Sequence, residues 1–131
     1  MQTQTPAVLD VKHFVGAQEF DVSRDFYIAM GWELTYDSPG LRVLQLSGHR
    51  FYLQNYYCRD WCENSMLHIA VADVDAWFEF ATRQFTEHNF GGQARLGDSP
   101  KDEGYARVFY VWDPSGVLLH FAQLADTTTS D

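Results

Sequence analysis

One arrangement of apolar residues occurs twice in this chain, and it limits the possible folds more than any other feature. Val8–Val15 reads as a strand. The helical segment VSRDFYIAM follows it, with Asp21 at the N-cap and Gly31 where a left-handed residue closes a helix. Three strand-like runs come next: Trp32–Tyr36, Leu41–Leu46 after the turn Asp37-Ser38-Pro39-Gly40, and Phe51–Tyr56 after Ser47-Gly48. Met66–Ala72 then starts the same order again. Asp73 opens the helix VDAWFEFATRQFTEHN, whose Trp77, Phe80, Ala81 and Phe85 form one apolar stripe. A weak strand within Gly92–Leu96 and two strong ones, Ala106–Trp112 and Val117–Gln123, complete the second half around the turn Asp113-Pro114-Ser115-Gly116. Units of roughly 55 residues bury little core alone, so the two halves are expected to share one.

The expected class is therefore α+β: two βαβββ modules, about residues 8–57 and 66–124, forming a curved mixed sheet around a concave groove. They make a single domain over 1–131. The polar tail at residues 125–131 is expected to fray, and Gly97–Gly104, with its Pro, Gly and charges, reads as a mobile loop able to close over a site. With 46% hydrophobic and 21% charged residues, the composition excludes disordered, collagen-like and coiled-coil chains.

Nine basic against eighteen acidic residues give a net charge of −9, which makes nucleic acid a poor partner and a cationic or neutral small molecule a better one. No apolar run approaches the roughly 18 residues of a membrane span, and the start MQTQTP lacks signal-peptide character, so the expected location is cytoplasmic with no membrane partner. Cys58 and Cys62, a C-x3-C pair in an aromatic loop between the modules, are read as free thiols, with a redox pair or metal clip as the alternative.

Alternation along the strands separates the side chains that meet a helix from those that do not. Phe51, Leu53, Phe109, Val111, Leu119 and Phe121 suit the helix side, as do Leu67, Ile69 and Val71. Tyr52, Gln54, His68, Ala70, Val108, Tyr110, Trp112, Leu118 and His120 are left on the opposite face. So aromatic a face is unsuited to open water, which points to a ligand groove lined by Tyr52, Gln54, His68, Tyr110, Trp112 and His120. Trp61, with Tyr56, Tyr57 and Asn64, offers an aromatic wall to a planar or cationic ligand. The stripe on the second helix is read as core, His49 and His88 as solvated, and Glu19, Asp25 and Glu87 as solubilising charges.

The doubled plan and three segments resemble the glyoxalase, bleomycin-resistance and extradiol-dioxygenase superfamily, the vicinal oxygen chelate fold. The segments are KHFVGAQEFDVSRDFYIAMGWEL, LHIAVADVDAWF and the closing VFYVWDPSGVLLHF. In metal-dependent members, the resemblance implies a His on the first strand of one or both modules and a Glu on the last strand meeting at one metal. Here His68 matches the second-module position, and His13 matches the first-module one if the following loop is one residue shorter. His120 stands where Glu is expected, and Tyr52 is its first-module counterpart. No carboxylate stands at any of the four positions, whereas iron oxygenases of this type and glyoxalase-type proton transfer both require one.

The histidine in the closing hairpin resembles that of bleomycin-resistance proteins. The resemblance thus implies a homodimer that captures an antibiotic-like ligand non-covalently in a groove built from both chains, without cofactor. The rival reading places a divalent metal such as Zn, Ni or Fe on His13, His68 and His120, giving a metal-dependent lyase, isomerase or dioxygenase. A module that has lost any small-molecule ligand is a third.

Overall fold

The computed structural model describes residues 5–125. The first unit holds β1 (Phe14–Gly16), α1 (Phe20–Ala29), β2 (Glu33–Asp37), β3 (Leu41–Leu46) and β4 (His49–Gln54). A short helix, α2 (Arg59–Asn64), leads to the second unit: β5 (Met66–Ala70), α3 (Val74–Glu87), β6 (Arg95–Leu96), β7 (Lys101–Asp102), β8 (Ala106–Trp112) and β9 (Leu118–Leu124). Each unit builds its own mixed sheet, in the orders β1-β4-β3-β2 and β5-β9-β8-β6, with β7 also paired to β8. Both sheets place their first strand parallel to their last, a pairing that requires a crossover connection and receives it from α1 and α3. The α+β class and the repeated plan stand as the sequence implies, with two sheets where one curved sheet was expected.

Local chemistry accounts for the boundaries. Asp73 caps α3 by accepting from the Ala76 N–H at 3.0 Å. Gly31, at φ +103°, closes α1: its N–H reaches the Ile28 carbonyl and the Trp32 N–H reaches that of Tyr27, the paired bonds of a Schellman turn. Ser47 and Gly48 both take positive φ, as a two-residue hairpin between antiparallel strands requires.

Five expectations are corrected. Strand pairing begins at Phe14, not Val8, and Val8, Leu9 and Val11 stand exposed. Asp21 does not cap α1. The N-cap is Glu19, without a side-chain bond, because the Asp21 carboxylate is bound by Arg42 at 2.9 Å and Arg24 at 3.3 Å. Arg42 itself is buried, its guanidinium 3.9 Å from the Phe20 ring centroid and 2.7 Å from Asp37. The segment after Cys58 is helical. In Gly97–Gly104, Lys101 and Asp102 pair with Val108 and Arg107, which anchors part of the expected loop. The strand expected in Gly92–Leu96 contracts to two residues. The tail from residue 126 onward lies outside the described residues.

One core serves both units. Val15, Phe26, Tyr27, Leu44, Phe51 and Leu53 of the first pack in the same cluster as Phe109, Val111, Leu119 and Phe121 of the second. Phe26 meets Phe90 and Phe85 with centroids 5.1 and 6.2 Å apart, and Trp77 stacks on Phe121 at 5.3 Å. A polar contact joins the units inside this core. The Tyr27 hydroxyl donates to Asp113 at 2.7 Å, while the other Asp113 oxygen accepts from the Ser115 and Val117 N–H groups at 2.8 and 2.9 Å. Ser115 in turn accepts from the Gln18 N–H.

Burial raises the Asp113 pKa to about 6 against the pull of those donors, and the Tyr27 hydroxyl is raised as well. Asp113→Ala strands the Tyr27 hydroxyl and two backbone donors and is expected to cost about 3 kcal/mol in urea unfolding. The sign of the pH dependence follows from the raised folded value. The folded chain keeps a proton that the unfolded chain releases, so this contribution is complete below the usual carboxylate value of 3.8 and lost as pH rises through about 6. The stability of the native chain relative to Asp113→Asn should therefore fall by about 2 kcal/mol between pH 4 and 7 and then level off, as measured by paired denaturation curves.

Candidate functional site

Because both sheets give one face to the common core, the alternate side chains face away from it. On the second sheet, the register sets these side chains in cross-strand rows. Trp112, Leu118 and Met66 form one row, Tyr110, His120 and His68 the next, and Val108, Ala122 and Ala70 the third. The first two rows are aromatic, aliphatic and imidazole. The third is small, and its Val108 and Ala122 are buried with Ala106 beneath Tyr110. The face thus carries a ridge of rings, with Val108 and Ala122 covered beneath it.

The rings touch one another. Tyr110 meets His120 edge-on at 5.0 Å, His120 lies 6.0 Å from His68, and Tyr110 lies 6.4 Å from Trp112. His68 Nε2 is 3.3 Å from the Tyr105 hydroxyl, and His120 Nε2 is 3.4 Å from the Met66 sulfur. Desolvation and the neighbouring His68 lower the His120 pKa, which favours a neutral imidazole. Desolvation, then Glu103 and Tyr105, raise that of Tyr110, which keeps its hydroxyl a donor. Arg95, on edge strand β6, lays its guanidinium 3.7 Å from the Trp112 ring centroid.

On the first sheet, Tyr52 packs against Phe14 at 4.8 Å, with the Lys12 ammonium 5.3 Å from its ring centroid. Between the β1–β4 edge and α2 lies a hollow of about 350 Å3, lined by His13, Phe14 and Gln54 on the sheet side and by Cys58, Trp61 and Cys62 on the helix side. Trp61 is 65% exposed and leans on Tyr56 at 5.6 Å. Tyr57 packs into the core instead of joining that wall. Both cysteines are free, and burial raises the Cys62 thiol pKa. A second open hollow of about 490 Å3, between α1 and the end of α3, contains none of the candidate ligand residues.

The structure thus brings His68, Tyr110, Trp112 and His120 together on one face, and gathers Gln54 and Trp61 at the hollow beside Tyr52. Among the described residues no aromatic pair links the two faces. His13 stays apart from the other two histidines. Phe14 pairs with Tyr52 as His68 pairs with His120, so the internal repeat matches His68 to Phe14 and leaves His13 one position off the free face. Two imidazoles without a carboxylate make a poor donor set for an oxygen-binding or Lewis-acid metal, and among the described residues no three His, Cys, Asp or Glu side chains are grouped to hold an ion. Alternation from His68 is enough to locate Met66. Arg95 and Tyr105 required the pairing of β6 and the path of the β7–β8 turn, neither of which carries a period.

No family model matches the sequence, and no curated protein does. Solved structures do match. The bleomycin-binding protein of Streptomyces verticillus, solved with copper(II)-bleomycin, superposes with a TM-score of 0.75 at 18% identity, over 92% of this chain and 100% of its own. The antibiotic-binding protein TnmS3 from Streptomyces sp. CB03234 gives 0.71 at 20%, over 92% and 100%. A glyoxalase/bleomycin resistance protein/dioxygenase from Alicyclobacillus acidocaldarius gives 0.66 at 19%, over 92% and 95%. The chain has the vicinal oxygen chelate fold these proteins share. Among the described residues, no helix is long and apolar enough to cross a membrane.

Gly16 sets the hollow's inner wall. A Cβ there would sit 2.8 Å from the Tyr56 carbonyl oxygen and 3.0 Å from the Cys62 sulfur. Gly16→Ala should therefore destabilise the chain by about 1–3 kcal/mol in chemical denaturation, by forcing β1 away from α2.

Proposed function

We propose that this protein captures a small aromatic, antibiotic-like molecule without transforming it, using the outward faces of its two sheets. One observation carries the reading. The two equivalent cross-strand pairs of the repeat hold Phe14 with Tyr52 and His68 with His120, a set suited to stacking and hydrogen bonding and lacking the carboxylate that metal-assisted proton transfer needs. The likeness in fold to two proteins described as binding bleomycin or an antibiotic supports the same reading. Tyr52, Gln54 and Trp61 serve on the first face, and His68, Tyr110, Trp112 and His120 on the second.

Each face is open on its own, so the groove is completed by a second copy in a homodimer. In it, the first face of one chain covers the second face of the other. The acidic chain, with its free thiols, works in the cytoplasm. Stacking at each ring supplies roughly 0.5–1.5 kcal/mol, so several rings together give useful affinity without any reaction.

A panel of aromatic antibiotics that includes bleomycin, screened by thermal shift, tests this. Binders should lose their shift in the Tyr110→Ala/Trp112→Ala variant while its circular dichroism matches the native chain. Shifts that persist undiminished in that variant would remove this face from the site. Sedimentation should give twice the 15.1 kDa chain mass, and a monomer that binds with full affinity would overturn the two-chain groove. Protein purified without chelator should carry no stoichiometric metal. Zn, Ni or Fe retained at one per chain and lost in His68→Ala would favour the enzyme reading.

A further inference from the structure

The strand positions of the second sheet's outward face carry charge opposite in sign to that of the whole chain. Residues opposite one another in an antiparallel pair share a face, so Arg95 opposite Trp112 and Lys101 opposite Val108 both stand on the ligand side. The strand positions of that face hold these two cations and no Asp or Glu, whereas Asp102, Arg107 and its partner Asp75 lie on the other side. Among the described residues, Lys101 is held only by a 3.9 Å contact to an exposed Asp98, and Arg95 makes no ion pair. Stacking on Trp112 uses the flat face of the Arg95 guanidinium, which leaves its in-plane N–H fork free to receive two oxygens. Beside it, Tyr110 presents a protonated hydroxyl over the buried Val108 and Ala122.

We infer that this face selects a planar aromatic ligand bearing an acidic group, a carboxylate or an ionised phenol. The ring lies over the Tyr110–His120 row, and the anion is received by the Arg95 fork, with Lys101 four residues farther along β8. The inference rests on the ligand-binding reading above and adds the ligand's charge. The chain-wide acid excess acts at longer range, where salt screens it, and the contact charge decides selection at the face. Glu103, in the β7–β8 turn, is the carboxylate that Tyr110 senses, and it opposes such a ligand.

Three probes of one shape test the charge: anthraquinone-2-carboxylate, its carboxamide, and the 2-trimethylammoniomethyl analogue, titrated against the full chain by tryptophan quenching and calorimetry. The carboxylate should bind about tenfold tighter than the amide, with the cation weakest. Arg95→Gln should erase the carboxylate's advantage, bringing its affinity down to that of the amide. Glu103→Gln should increase that advantage, and raising the salt should narrow it. A cation that binds as well as the carboxylate, with affinity still lost in Tyr110→Ala, would overturn the charge assignment and leave the binding face standing. If none of the three binds, or if binding is indifferent to Tyr110→Ala, the face is not a ligand site and both readings fail.

Discussion

The protein depends on one packing decision: both sheets turn their helix-bearing faces to the same core. Neither unit encloses enough apolar surface to stand by itself, and the contacts of Phe26 with Phe85 and Phe90 cross from one to the other. The Tyr27–Asp113 bond adds direction to that cohesion. A buried hydrogen bond between two partners holds only in one relative placement of α1 and the β8–β9 hairpin, so it fixes how the halves sit as well as that they adhere. With that placement set, period-two alternation leaves every second side chain of β4, β5, β8 and β9 on an outward face.

Those outward faces were largely legible in the sequence, because strict alternation over strong strands tells in from out without knowing any partner. Phe109, Val111, Leu119 and Phe121 are in the core, and Tyr110, Trp112 and His120 are out of it, as their order along the chain requires. The turns were legible for a similar reason, since Gly31, Gly48 and Gly116 adopt positive φ where the local pattern placed them. What alternation cannot supply is register. His13 is one residue away from the position that pairs with Tyr52, and a slip of one residue in a strand changes its face. Val8–Val15 reads as a strand, yet among the described residues only Phe14 and Val15 of that stretch join a strand ladder. The short β6 and β7 carry no period at all, which hid the placement of Arg95 and Lys101. Asp21 shows the remaining kind of failure: a residue with good capping chemistry was claimed by a stronger tertiary partner, Arg42.

The two halves of the repeat have diverged most where they would matter to a ligand. At equivalent positions one half carries Phe14 and Tyr52, and the other His68 and His120. The core-side equivalents have kept their character: Val15 and Leu53 in the first unit answer Ile69 and Phe121 in the second. Packing constrains size and polarity on the core side in both units alike, whereas the outward side is free to specialise, and there the residues differ in chemistry.

That asymmetry bears on the proposed groove. A face made only of rings gives affinity with little selectivity, because stacking tolerates most planar shapes. A face with imidazoles, a phenol hydroxyl and a stacked guanidinium gives orientation but less contact area. In the proposed homodimer, two-fold pairing would oppose unlike faces twice, once at each groove, so that every ligand would meet one of each kind. A homodimer built on such a repeat would therefore provide two equivalent, internally asymmetric sites. Selectivity in each can change through Arg95, His68 or Glu103, leaving the shared core that holds the faces apart undisturbed.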